Sequence, residues 1–113
     1  MEVCPLSSRL LGHVRDLRNH PVRFMLNRGL QVSISSGYPG LFGFEDTALD
    51  YLTVYLAWDL TLRDLKKMSL NGIKHSSCDE ATRSMIENEV FPKKWARFLE
   101  QVIEKHDIDY LHY

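Results

Sequence analysis

The 113-residue sequence contains no apolar run near the roughly 18 residues that a membrane-spanning helix needs, so no membrane span is expected. It also lacks an excess of positive charge, because 14 lysines and arginines are offset by 15 acidic residues. Phosphate binding depends on such an excess, so nucleic acid is not expected as a main partner. Met1 is followed by Glu2-Val3-Cys4-Pro5 and not by a basic and then apolar stretch, so the chain shows no signal peptide.

Cysteine is scarce, and this excludes a disulfide-rich scaffold. The two cysteines, Cys4 and Cys78, lie far apart in the sequence. They could pair with each other or remain as two buried thiols, and the sequence leaves their disulfide state and the compartment open.

Positive charge is concentrated in one stretch near the N-terminus. Asp16 is the only acid between residues 9 and 28, against five arginines: Arg9, Arg15, Arg18, Arg23 and Arg28. The stretch is interpreted as a solvated helical face or, alternatively, as a contact surface for an anionic glycan or an acidic protein.

Apolar spacing predicts two short helices before residue 30. Ser7 or Ser8 can cap the first, and Pro21 suits the first turn of the second, with Gly29 as its left-handed stop. The apolar residues of the first helix recur at helical spacing, at Leu10, Val14 and Leu17.

Leu30 to Ser36 alternates between apolar and polar residues, which predicts a strand. Leu30, Val32 and Ile34 share one side of it. A loop rich in glycine and proline follows.

The rest of the chain has helical spacing. Thr61 and Asp64 form a capping box, Ser76 or Ser77 can cap the next helix, and Pro92 opens the last one. Two apolar stripes have helical spacing: Ala48, Leu49, Leu52, Tyr55 and Leu56, and then Trp95, Phe98, Leu99, Val102 and Ile103. The second stripe is expected to pack in a core. The fold class is α/β, and its two strands need neighbours because parallel strands are covered on both faces.

Four sequence motifs in this order resemble the closing segments of adenosine deaminases, most closely the secreted branch related to growth factors. They are residues 2–7 (EVCPLS), 16–22 (DLRNHPV), 32–36 (VSISS, followed by Pro39, Phe42 and Gly43) and 71–76 (NGIKHS).

The resemblance implies the C-terminal part of a TIM-type (β/α)8 barrel, a fold of about 250 residues. Val3 to Pro5 would be its seventh strand and Val32 to Ser36 its eighth. Residues 1–75 would hold the last barrel strands and helices, and residues 76–113 the C-terminal helices. The barrel-facing sides of Val3 and Val32 are then expected to be exposed.

The reaction implied by the resemblance is the zinc-dependent hydrolytic deamination of adenosine to inosine. The family's eighth strand ends in an Asp-Asp pair, of which the first binds zinc and the second holds a purine nitrogen. Gly37 and Tyr38 stand at those positions, and neither supplies a carboxylate. Glu45 and Asp46 are weaker substitutes, further along the loop. No His-x-His pair occurs either, so neither catalytic residues nor a zinc cofactor are expected in this chain.

Other constellations are incomplete. His75 and Cys78 have the spacing of half a zinc site. A nucleophile elbow is excluded because Gly-x-Ser-x-Gly is absent. Gly37, Gly40 and Gly43 lack the Gly-Lys-Ser/Thr of a phosphate-binding loop and are expected to serve a sharp turn.

The sequence therefore favours an adenosine deaminase-like fragment without catalytic activity. One alternative is an extracellular, growth-factor-like interaction module that pairs with an intact deaminase or a cell-surface receptor. Another is a truncated or wrongly assembled part of an active adenosine deaminase. By resemblance the location would be extracellular.

Overall fold

The computed structural model describes residues 1–43 and 46–105, and the chain divides into two units, Met1–His75 and Ser76–Tyr113. The elements of the first unit, in order, are β1 (Glu2–Val3), α1 (Pro5–Leu10), a 3₁₀ turn (Leu17–Asn19), α2 (Pro21–Asn27), β2 (Ser33–Ile34), α3 (Pro39–Phe42), α4 (Ala48–Ala57) and α5 (Leu62–Lys74). The second unit contains α6 (Glu80–Met85), a π-helical segment (Ile86–Val90) and α7 (Phe91–Lys105). Glu45, one of the predicted substitute ligands, lies outside the described residues.

The two strands pair in parallel, with Glu2 opposite Ser33 and Val3 opposite Ile34. Both are shorter than predicted. Pro5 has no backbone N–H and already occupies the first turn of α1, so β1 ends at Val3 and β2 has only two residues to pair with.

The core of the first unit lies between this sheet and its helices. It consists of Val3, Val22, Val32, Ile34, Val54, Trp58 and Met68. The prediction that Val3 and Val32 have exposed sides is wrong for this structure, because they are 6% and 0% exposed. Leu30, expected on the same side as Val32, is exposed and does not belong to this core.

Helix α1 is shorter than the predicted helix through Leu17. It ends at Leu10, and Gly12 follows in the left-handed conformation with φ of 77°. Ser7 and Ser8 lie inside the helix and do not cap it: the Ser8 hydroxyl donates to the Cys4 carbonyl at 3.0 Å. The prediction for α2 is confirmed, with Pro21 in its first turn and Gly29 at φ 83°.

Helix α4 has the predicted apolar stripe but leaves most of it exposed. Its buried side carries Asp50 and Val54, whereas Leu49, Leu52 and Leu56 are exposed. Two long-range hydrogen bonds fix the rotation of the helix: the Leu6 N–H donates to Asp50 Oδ1 at 3.1 Å, and the indole at the end of α4 donates to the Leu17 carbonyl at 2.7 Å. These two hydrogen bonds, and not the apolar spacing of the sequence, decide which side of α4 is buried.

Helix α5 begins with the predicted capping box. The Asp64 N–H donates to the Thr61 hydroxyl at 3.2 Å, and the Thr61 N–H donates to Asp64 Oδ2 at 2.8 Å. Further along the same helix, the Asn71 amide donates to the Val32 carbonyl at 2.9 Å and so ties α5 to β2.

The second unit has one helical path from residue 80 to residue 105. Asp79 caps it, and not Ser76 or Ser77 as predicted: the Thr82 N–H donates to Asp79 Oδ1 at 2.9 Å. Pro92 lies in the first turn of α7, directly after the π-helical segment. Proline has no N–H to donate to a preceding carbonyl, so one hydrogen bond of the helix is missing there. A π-helical turn is a common place for such a break in the hydrogen-bond pattern.

Helix α7 carries an aromatic row instead of a buried stripe. The Trp95 ring lies 5.9 Å from Phe91 and 5.2 Å from Phe98, measured between ring centroids. None of its described residues is buried, so the core packing predicted for this stripe is not found there. No helix in the described part of the chain is both long and apolar enough to cross a bilayer.

Candidate functional site

The segment that follows β2 is held against the start of α1. The Ser35 N–H donates to the Val3 carbonyl at 2.8 Å, and the Ser7 hydroxyl donates to the Ser36 carbonyl at 3.0 Å. Residues 35 to 37 therefore lie beside the junction between β1 and α1. The resemblance places the acidic pair at the end of this segment, at Gly37 and Tyr38.

Gly37 fits this position only because it has no side chain. Its φ is +67°, a left-handed conformation that side chains other than glycine's adopt at a cost. A Cβ atom there would lie 2.5 Å from Ser7 Oγ and 3.1 Å from Cys4 Cβ. The space that a metal-binding aspartate would need is thus already filled by α1.

Tyr38, the second position, is exposed to solvent. Its side chain is 63% exposed, and its backbone carbonyl accepts hydrogen bonds from Leu41 and Phe42 at the start of α3. A solvent-exposed phenol does not supply the carboxylate that the family has at this position.

The two neighbouring glycines have different roles. Gly43 ends α3 in the left-handed conformation with φ of 72°, whereas Gly40 lies within α3. The sharp turn predicted for this loop is found at Gly37 and Gly43.

Cys4 lies beside this position, and its surroundings favour the thiol form. Burial raises the pKa of Cys4, and the negative charges of Glu2 and Asp50 raise it further. A hydrogen bond with Ser35 opposes the shift. Since the thiolate is the reactive form, this environment disfavours nucleophilic chemistry at Cys4.

Asp50 is a buried acid that the sequence interpretation missed. Its residue is 0% exposed, and it stabilises the N-terminus of α1 because Oδ1 accepts the Leu6 N–H while Pro5 has no N–H to donate. Oδ2 is buried without a hydrogen-bond partner in the described structure, and burial raises the pKa of the carboxyl group. The sequence offers no capping side chain at Cys4-Pro5 for the N–H groups at the start of α1. This indicates that another residue must accept them, but it does not indicate which one.

Asp46 does not replace the missing carboxylates. It is exposed, and its Oδ1 accepts the Ala48 N–H at 2.8 Å at the start of α4. The two halves of the predicted His-Cys site also have other partners: His75 Nε2 lies 2.7 Å from Gln31 Oε1, and Cys78 Sγ lies 2.9 Å from Ser76 Oγ.

The described residues do not fit a zinc ion. Across residues 1–43 and 46–105, no group of three or more His, Cys, Asp or Glu side chains could hold a metal. Both cysteines are free, and no disulfide joins them in the structure.

The five arginines do not form one helical face. Arg9, Arg15 and Arg18 border an open groove beside α4, whereas Arg23 and Arg28 lie on and just after α2. The hydrogen bonds from Arg18 to Asp16, as short as 2.7 Å, lower the pKa of that carboxyl to about 2. The Arg28 guanidinium lies 4.7 Å from the Phe24 ring centroid.

Comparison with known proteins gives the family. The family model for adenosine deaminase matches residues 1–93, and the chain therefore belongs to the adenosine deaminase family. It is 32% identical to adenosine deaminase 2 of Dictyostelium discoideum over 94% of its length, and 35% identical to adenosine deaminase 2 of Homo sapiens over 93%. It is 33% identical to adenosine deaminase of Plasmodium falciparum over 80%. The aligned parts are 20%, 21% and 24% of those relatives, so the chain spans about a fifth to a quarter of them. No solved structure matches.

Proposed function

We propose that this chain is a non-catalytic form of the closing part of an adenosine deaminase. In this proposal β1 and β2 are the last two strands of a TIM-type (β/α)8 barrel, and residues 76–113 are its helical tail. The parallel pairing of β1 with β2 across α1 and α2 supports the assignment, because consecutive barrel strands are parallel and joined through helices.

The observation that carries the proposal is the geometry at positions 37 and 38. Hydrolytic deamination needs a metal-activated water, and the metal needs side-chain ligands. Position 37 offers none and has no room for one while Ser7 donates to the Ser36 carbonyl. The phenol of Tyr38 lies in solvent, so the chain cannot supply either of the two carboxylates.

The direct experiment measures inosine release with added zinc, first from this chain and then from a chimera. In the chimera, residues 1–93 of this chain replace the matching segment of human adenosine deaminase 2. We expect no turnover from either protein and a loss of zinc from the chimera relative to the human enzyme. The human enzyme is the positive control, and circular dichroism checks that the chimera is folded.

Two restored chimeras test the cause. The first carries Gly37→Asp and Tyr38→Asp, and the second adds Ser7→Ala, which removes the hydroxyl that an added Cβ would meet at 2.5 Å. We expect zinc binding and inosine release to return, more fully in the second. Turnover by the unrestored chimera would contradict the proposal, as would a folded second chimera that binds zinc no better than the unrestored one.

A second candidate function is an interaction module that pairs with an intact deaminase or a cell-surface receptor. The exposed leucines of α4 favour it, because contiguous apolar surface on a folded unit marks contact sites. A pull-down with intact adenosine deaminase 2 at low and high salt tests it, and absence of capture in both conditions would contradict this candidate.

A further inference from the structure

An open, mainly apolar groove of about 700 Å³ lies on the first unit between α4 and the chain that follows α1. Its floor includes Leu49, Leu52 and Leu56, which lie at positions i, i+3 and i+7 of α4 and so form one stripe. Leu52 is 54% exposed and Leu56 is 70% exposed. Over two helical turns, this floor is about 10 Å long.

The rim of the groove is cationic. Arg9, Arg15 and Arg18 border it, and Asp16 is the one acid among the described residues that line it. Arg18 is engaged by Asp16 at 2.7 Å, whereas no ion pair to Arg9 or Arg15 is found within residues 1–43 and 46–105. Arg9 and Arg15 are thus exposed beside an apolar floor.

The groove is held in shape by buried contacts. The Trp58 indole at the end of α4 is 3% exposed and donates to the Leu17 carbonyl, which fixes one wall to the floor. At the other end, the hydrogen bond from Leu6 to Asp50 joins α1 to α4. A wall tied to the floor at both ends costs little ordering energy when a partner binds.

We propose that this groove binds an amphipathic helix of a partner protein that carries leucine-like residues on one face and acidic side chains at its edge. An apolar stripe two turns long matches the i, i+3, i+7 residues of a docked helix, and the exposed Arg9 and Arg15 complement its acids. A sulfated glycan or an anionic membrane would use the arginines, but a glycan would not use the leucine floor. The proposal is independent of whether the chain is catalytic.

The binding experiment uses the full chain and a fluorescent synthetic helix with leucines at i, i+3 and i+7 flanked by glutamates. Fluorescence anisotropy should show saturable binding that weakens as salt increases, since exposed charge pairs are screened. A second peptide with lysine in place of each glutamate should bind more weakly. No saturable binding of the acidic peptide at low salt would overturn the proposal.

Substitutions in the groove locate the site. Arg15→Glu should weaken binding of the acidic peptide about tenfold and strengthen binding of the lysine peptide, because the charge pairs are reversed. Leu52→Asp should weaken both peptides at least about tenfold, because it places a charge on the apolar floor.

Two controls carry the same changes elsewhere on the unit. Arg23→Glu lies on α2, and Leu41→Asp lies on α3 at a side chain that is 75% exposed. Each should change binding less than about twofold. Equal effects of Arg15→Glu and Arg23→Glu would overturn the proposal, because they would indicate a general charge effect. Binding of heparin or anionic vesicles that is lost with Arg15→Glu and kept with Leu52→Asp, without saturable peptide binding, would replace it with a polyanion site.

Discussion

Replacing Asp50 should separate its two roles, that of a hydrogen-bond acceptor and that of a buried charge. Asp50→Ala removes the acceptor of the Leu6 N–H and should reduce the free energy of unfolding by about 1–2 kcal/mol, the usual cost of a lost helix cap. Asp50→Asn keeps an oxygen at Oδ1 and removes the charge. We expect it to be within about 1 kcal/mol of the parent protein at neutral pH, because the desolvation cost of the carboxylate also disappears.

The pH dependence gives a sharper distinction. Burial raises the pKa of Asp50, so the folded protein binds more protons at this site than the unfolded chain, whose carboxyl titrates near 3.9. Stability therefore falls as pH rises from about 4 towards the raised pKa, and this decline should be absent in Asp50→Asn.

Urea denaturation at several pH values measures both effects. Trp58 is a suitable reporter of the first unit because it is 3% exposed, and Trp95→Phe in every variant removes the other tryptophan signal. A change of 1 kcal/mol corresponds to roughly 4–8 °C in Tm for a unit of this size. Asp46→Asn, at an exposed cap of α4, is the matched control. The reasoning fails if Asp50→Asn destabilises the protein as much as Asp50→Ala, or if it leaves the pH profile unchanged.

Local sequence signals predicted some of the local contacts, although the caps predicted at Ser7 or Ser8 and at Ser76 or Ser77 are wrong. The capping box at Thr61 and Asp64 and the left-handed stop at Gly29 depend on residues within one helical turn, and both are present. The buried side of α4 could not be read from its apolar stripe, because the Leu6 N–H donates to Asp50 and the Trp58 indole donates to the Leu17 carbonyl, across 44 and 41 positions of the sequence. Such contacts leave no periodic trace in the sequence.

At the candidate site, too, the sequence indicated features of single positions but not contacts between residues that are distant in the chain. Sequence alone identified Gly37 and Tyr38 as the positions where the family's acids are missing. It could not show that Ser7 occupies the space beside Gly37, since this contact joins residues 30 positions apart through the pairing of β1 with β2. The missing carboxylates alone predict weak zinc binding. The contact between Ser7 and position 37 predicts, in addition, that restoring the carboxylates requires a change in α1.

Backbone and protonation effects give two further tests by urea denaturation. Gly37→Ala should lower the free energy of unfolding by about 1–3 kcal/mol, because it adds a Cβ at positive φ against Ser7, whereas Gly40→Ala in α3 meets no atom within 4 Å and should be neutral or stabilising; equal effects would show that the left-handed turn is not required. Burial lowers the pKa of His20, whose Nδ1 accepts a backbone N–H at the start of α2, so the unfolded chain takes up a proton near pH 6.5 that the folded protein resists. Stability should therefore fall as pH drops below about 6.5, and His20→Asn should remove this loss while retaining a capping oxygen. The exposed His13→Asn is the control, and a loss at low pH that persists in His20→Asn would assign it to another group.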